Sequence, residues 1–282
     1  GSDTVFQDLV IQNGWSTLGG GMYNYVSSPT LIRCWFISNI SKNGAGMYNN
    51  LGCSPILTDC RFTHNAAEKG GGMYNYYASN PVLTDCIFTS NSVVLGGGGM
   101  HNYFSWPVLN TCTFTGNTAD NGGGGMYNSE ESSPTLTDCI FTSNSADEHG
   151  GGMFNDDSNS TLTGCTFENN NANLIGGGMY NKKSNPDLTG CTFTGNTATD
   201  IAGGMYNYEG SSPTLENCDF ENNTAMDGGG MYNNYYSSPT LTTCTFENND
   251  ASNGGGMSNY DGSSPTLSGC AFENNTATTN GG

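Results

Sequence analysis

The stretch GGGGMYNSEESSPTLTDCIFTSNSA, residues 122–146, decides the fold, because near copies of it fill the chain. Met recurs at 22, 47, 73, 100, 126, 153, 179, 205, 231 and 257, and Cys at 34, 60, 86, 112, 139, 165, 191, 218, 244 and 270. The step is 25 to 27 residues, the range of stacked solenoid repeats. Within a unit, G-M-Y-N, T-L-T and C-T-F alternate apolar and polar residues with the two-residue period of a strand, and nothing follows helical spacing. Strands this short cannot bury a face alone, so each unit must stack on the next. Three short strands and three turns in about 26 residues make one coil of an all-β, single-stranded parallel β-helix of ten to eleven coils. A right-handed path follows from the bias of parallel crossovers.

Stacking converts each position into a column along the rod. Met, Leu, Cys and Phe point inward. Two residues intervene between Leu136 and Cys139, which breaks the alternation and places a corner there. An Asn stands three past each Phe, at Asn39, Asn65, Asn91, Asn117, Asn144, Asn170, Asn196, Asn223, Asn249 and Asn275. An inward Asn ladder at this position would satisfy the polar groups of a buried corner. Counting back from Met22, Phe6, Leu9 and Ile11 fall on the Leu, Cys and Phe columns, so the helix runs as one domain over 5–282. Residues 1–4, beginning Gly1-Ser2, read as a tag scar and disordered start. The chain reads as a fragment of a longer one, and its open ends would allow end-to-end or edge-mediated self-association.

Composition agrees with this architecture and excludes others. Only 34% of the 282 residues are hydrophobic, too few for a conventional globular core, and no apolar run is long enough to span a membrane. With 25 acidic against 6 basic residues, a formal net charge of −19, nucleic acid and anionic membranes are poor partners. The calcium-binding nonapeptide G-G-x-G-x-D and the EF-hand loop are both absent; closely spaced carboxylates leave weak Ca²⁺ binding as the one cofactor chemistry open, with no metal site assigned.

The paired G-G-[apolar] and F-x-x-N signatures, Gly21-Met22 with Phe36-Ile37-Ser38-Asn39 and their equivalents in every later unit, resemble the polymorphic outer-membrane protein repeats of bacterial surface proteins. The wider string G-G-G-M-Y-N…S-P-T-L-T-x-C-T-F-x-x-N-x-A is similar to that of bacterial right-handed parallel β-helix repeat proteins. The resemblance implies an extracellular or cell-surface location and a role as adhesin or spacer. No transporter barrel or sorting domain accompanies the repeats.

Chemistry is sparse. The basic residues Arg33, Lys42, Arg61, Lys69, Lys182 and Lys183 and the histidines His64, His101 and His149 occupy different coil positions. The acidic pairs Glu130-Glu131 and Asp156-Asp157 fall in variable loops. No base converges with a carboxyl pair as polysaccharide lysis or hydrolysis requires, so the chain reads as a non-enzyme, with no catalytic residue. The ten column cysteines read as buried free thiols. Cys53 replaces a loop Ser and is either an exposed, reactive thiol or a plain Ser-to-Cys change. Tyr23, Tyr48, Tyr74, Tyr127, Tyr180, Tyr206 and Tyr232 follow Met in an outward aromatic stripe, which either binds a protein or glycan surface or only stacks on itself. Two alternatives to an adhesive module remain. One is a carbohydrate-binding or polysaccharide-degrading β-helix. The other is an ice-binding face of T-x-T columns, which Asp187, Glu216, Asp219 and a run of glutamates interrupt.

Overall fold

A computed structural model describes residues 4–281; residues 1–3 of the expected tag scar, and residue 282, lie outside the described residues. Every strand pairs in parallel with its equivalent one coil away, which produces a solenoid of eleven coils without α-helix among the described residues. Each coil contributes four strands rather than three. The Leu sheet runs from Val5–Gln7 to Thr266–Ser268 and the Phe sheet from Val10–Gln12 to Ala271–Glu273, eleven strands each. The Met sheet has ten strands, Met22–Tyr25 to Met257–Asn259. The additional Ala sheet follows the Asn corner and shrinks to two-residue strands such as Thr118–Ala119 or to single bridges. Two residues show no alternation, so in sequence this segment reads as a link.

The first coil takes the register expected of it, Phe6 pairing Leu31 and Ile11 pairing Phe36. Single residues in the left-handed region make the corners: Asp138 (φ 51°) between the Leu and Phe strands, and Ser143 (φ 55°) immediately before Asn144. Asp, Asn and Ser dominate these positions because short polar side chains tolerate that conformation better than branched ones. The interior is a continuous core of Leu, Cys, Phe and Met columns, fully buried in the middle coils. Successive Phe rings lie parallel at the coil spacing, for example Phe36 and Phe62 with centroids 4.7 Å apart and planes 2° from parallel.

The Asn ladder forms as expected. Asn144 donates through Nδ2 to Phe114 O (2.9 Å) and Asn170 Oδ1 (3.0 Å), and its own Oδ1 accepts from the Asn117 backbone N–H (3.0 Å) and Nδ2 (2.9 Å). A second ladder, additional to the one expected, runs through the Met sheet: the Asn of each M-Y-N from Asn24 to Asn233 donates Nδ2 to the next Oδ1 at 2.8–2.9 Å, ending on Asn259. Its signal was available, since this Asn lies two residues past an inward Met and so shares its face.

The glycine run lets two coils touch backbone to backbone. A Cβ on Gly125 would lie 2.5 Å from Gly152 O and 2.8 Å from Phe141 Cδ1, distances that no rotamer relieves. Replacing Gly125 by Ala is therefore expected to cost more than ~2 kcal/mol, and Asn144→Ala, which strands several buried polar groups at ~1–3 kcal/mol each, at least as much. Thr142→Ala, on the outer face of the Phe sheet, should change stability by less than ~0.5 kcal/mol. Urea denaturation of the three variants checks this order.

Candidate functional site on the outer face of the Met sheet

The tyrosine stripe points away from the core, yet it is not an open surface. Tyr48, Tyr74, Tyr180, Tyr206 and Tyr232 are buried, Tyr127 is half-buried, and of the seven only Tyr23 is exposed. The expectation of an exposed contact stripe is corrected here. Flanking segments wall the stripe, and the rings of Tyr127, Tyr180, Tyr206 and Tyr232 pack into a second apolar cluster with Phe154, Ile175 and Ile201. Tyr180 stacks on Phe154 at 4.7 Å and on Tyr206 at 5.1 Å. Burial pushes the Tyr48 hydroxyl up to about 12 and the Tyr74 and Tyr180 hydroxyls higher still, so these phenols stay protonated.

One stretch of this trough is open. In the wall column formed by Lys69, Gly96, Gly122, His149, Ile175 and Ile201, two successive positions are glycine. The ring of Tyr127 occupies the place of a Cβ on Gly96, 2.6 Å from its Cδ1. On the floor His101 stands in the Tyr column, its ring 4.7 Å from both Tyr74 and Tyr127. On the opposite wall Ser129 stands where neighbouring coils carry Tyr103 and Asp156. The Tyr127 and Phe154 rings take the space over Gly96 and Gly122, and beside His101 and Ser129 lies a cleft of about 510 Å³.

The cleft is polar and unevenly charged. Glu130, Asp156 and Asp157 line one side and Lys69 and Lys183 the margins. Tyr127 Oη approaches Asp156 Oδ2 at 3.4 Å, and the Lys182 ammonium is 3.5 Å from Asp156 Oδ1. Burial, with a smaller contribution from the Lys69 charge, lowers the His101 imidazole to about 3. It is a neutral ring at physiological pH. Its Nε2 lies 3.2 Å from Ser129 Oγ, and its Nδ1 is buried with no hydrogen-bond partner.

The remaining candidate residues do not gather into a site. Arg33 is held by Asp8 at 2.6 Å and Arg61 lies over the Trp35 ring at 5.3 Å. Glu130, Glu131 and Asp157 lie in loops, whereas Asp156 ends the strand Met153–Asp156 rather than lying in a loop as expected, and no three His, Cys, Asp or Glu side chains converge as metal ligands among the described residues. The column cysteines are free thiols, all buried except Cys270. Their thiols point to backbone carbonyls, Cys139 Sγ lying 3.4 Å from Thr137 O and 3.7 Å from Leu109 O. Cys53 is not exposed: its Sγ accepts from Ser27 N–H at 3.2 Å and donates to Asn50 O at 3.1 Å, the same bonds that Ser105 and its equivalents make. Cys53 therefore occupies the place of a buried ladder serine rather than that of a reactive loop thiol.

A family model for the right-handed β-helix region matches residues 105–180 and 172–282, more than half of the chain. The chain belongs to the right-handed β-helix family. No curated protein matches it. The family fixes the solenoid and its hand; enzymes and non-enzymes share this fold, so function rests on the side chains. No helix of this β-helix is long and apolar enough to cross a membrane, among the described residues.

Two outcomes follow from this geometry. Because the unfolded imidazole takes up a proton near pH 6.5 while native His101 does so only near 3, the unfolded state binds more protons as pH falls through this window. Stability present above pH 7 should thus be lost on acidification, and comparison with His101→Tyr, which carries the column residue, should show wild type losing about 2 kcal/mol more between pH 7 and 5. Cys53→Ser should leave the melting temperature unchanged or raise it, and native protein should show no Cys53 reaction with a thiol reagent until it is unfolded.

Proposed function

We propose that this β-helix is a non-catalytic, secreted or bacterial cell-surface rod that acts as spacer and adhesive module toward a protein or glycan surface. The observation that carries the reading is the loop following each Met strand. Tyr77, Tyr235 and Tyr236 sit there in the left-handed region (φ 51°, 54° and 60°) with 45%, 49% and 65% of their surface exposed. Bulky residues occupy that region only at a cost of order 1 kcal/mol or more, and here the strain presents aromatic rings to solvent. Tyr260 adds another, 65% exposed. Aromatic faces next to carboxylates suit sugar rings and their hydroxyls or the apolar anchor of a protein partner. Repetition along a rigid rod lets feeble contacts add in avidity.

The surface location draws support from the likeness of the G-G-[apolar] and F-x-x-N signatures to polymorphic outer-membrane protein repeats. The absence of catalysis draws support from the state of the candidate bases: both arginines are engaged, and Lys42, Lys182 and Lys183 pair with carboxylates. Substituting Tyr77, Tyr235, Tyr236 and Tyr260 together by Ser should reduce adhesion to cells at least tenfold at unchanged melting temperature, and no polysaccharide should be cleaved by either protein. Adhesion that survives the four substitutions, or product release from a polysaccharide, would overturn the reading.

A further inference from the structure

The loops that follow the Met strands form one continuous edge of the rod. Each is joined to the next through its backbone: Tyr77 N–H donates to Tyr103 O at 3.1 Å, Glu131 N–H to Asp157 O at 2.8 Å, Asp157 N–H to Lys182 O at 2.9 Å and Lys183 N–H to Tyr208 O at 3.1 Å. The first corner residue of each loop lies in the left-handed region, as at Tyr77, Asp157, Lys183 and Tyr235 (φ 51°, 51°, 52° and 54°). One such position per coil makes a column of side chains at the coil spacing. Unlike the core columns, this one does not repeat a residue.

What it holds instead is an order. At its middle Asp156-Asp157 are followed one coil later by Lys182-Lys183. Moving outward from that step in either direction, the next coil brings a glutamate, Glu130 on one side and Glu209 on the other. The coil after brings a pair of aromatics, Tyr103-Phe104 or Tyr235-Tyr236, and Tyr76-Tyr77 and Tyr260 stand one coil further out. In its chemistry the edge therefore reads the same from either end except at the centre, where one arm carries aspartate and the other lysine.

Two copies laid antiparallel about a two-fold axis between Asp157 and Lys183 would set each aspartate pair on a lysine pair and aromatics on aromatics, every contact being made twice. A parallel arrangement sets each charge on its own copy. An antiparallel one centred on either charged coil opposes Asp157 to Asp157 or Lys183 to Lys183, at the cost of like-charge contact. Centring between Lys183 and Glu209 keeps one charge pair but sets Tyr235 on Asp157 and Asp261 on Glu130. Asp157 is exposed and has no cationic partner among the described residues. Lys183 Nζ reaches Glu209 Oε2 at 3.5 Å within its own chain, and an ammonium with three donors can serve a second carboxylate as well. Its place beside Glu209 also offsets the one like-charge meeting, Glu130 with Glu209. The paired loops would extend over seven coil steps, ~34 Å at ~4.8 Å each. A contact of that length and one loop wide is at the small end of specific interfaces, which corresponds to a dissociation constant of order 10–100 µM rather than nanomolar.

We infer that this loop edge is a docking surface for a second copy of the chain, giving an antiparallel, side-by-side dimer centred between Asp157 and Lys183. The inference rests on the exposed loop tyrosines being a contact surface, as proposed above, and names what they contact.

Sedimentation equilibrium over concentrations that bracket the expected constant tests it. Expected is a monomer–dimer equilibrium for the natural chain, weakened at least tenfold by Lys183→Glu alone and by Asp157→Lys alone, because each opposes like charges at the centre. Acidic and basic residues both occur in this exposed column, so both variants should keep the natural melting temperature. An equimolar mixture of the two variants pairs the retained Asp157 of one with the retained Lys183 of the other, and the two substituted residues with each other; it should dimerise as the natural chain does. A natural chain that stays monomeric, dimers indifferent to both substitutions, or a mixture no better than its components would each overturn the inference. If the natural chain is monomeric while the four-Tyr variant loses adhesion to cells, only the second copy is removed as partner. If dimerisation follows the charge swap while adhesion survives the four substitutions, the adhesive reading falls and the dimer stands.

Discussion

In-register stacking is the constraint on which everything else in this molecule depends. A residue can occupy a given place only if its side chain packs against a copy of itself, or a near substitute, one coil away at ~4.8 Å. Flat Phe rings meet that condition by lying parallel, and Asn meets it by donating with one end of its amide and accepting with the other. Charges do not meet it, which explains why the interior contains none and why the glutamates Glu221, Glu247 and Glu273 are confined to an outer face, paired strand to strand in water. Glycine meets it where backbone must touch backbone, as at Gly125.

The same constraint explains which parts of the structure were legible beforehand. Columns with a large or distinctive residue, such as Leu136, Cys139, Phe141 and Asn144, announce themselves by spacing, and so did the corner between Leu136 and Cys139. The Ala sheet did not, because two residues carry no period. The fate of the Tyr stripe could not be read from alternation either. Period two states which side of a sheet a residue takes, but whether that side meets water depends on the walls raised by the segments on either flank. For Tyr180 the wall is Ile175 and Ile201; for Cys53 the neighbouring loops enclose the thiol completely.

The cleft was legible only in hindsight, and by an unusual route. No motif marks it. What marks it is the coincidence on adjoining coils of His for Tyr at 101 and Ser for a larger residue at 129. In a solenoid, departures from the column residue carry more information than the consensus does, because the consensus residue is already explained by packing. An aligned reading of columns, asking where several lose volume together, would have found it.

Both Asn ladders run the same way: every amide turns its nitrogen toward the following coil and its oxygen toward the preceding one. Two files of side-chain dipoles therefore add head to tail, each polarising the next, and give the rod an electrical direction whose positive pole lies at its C-terminal end. The carboxylates are distributed accordingly. Of the 25 acidic residues 21 lie beyond residue 70, against two of the six basic ones. The nearly neutral opening coils and the strongly anionic later ones make the molecule a polar arrow, which in an external field, or beside a charged surface, has a preferred way to point.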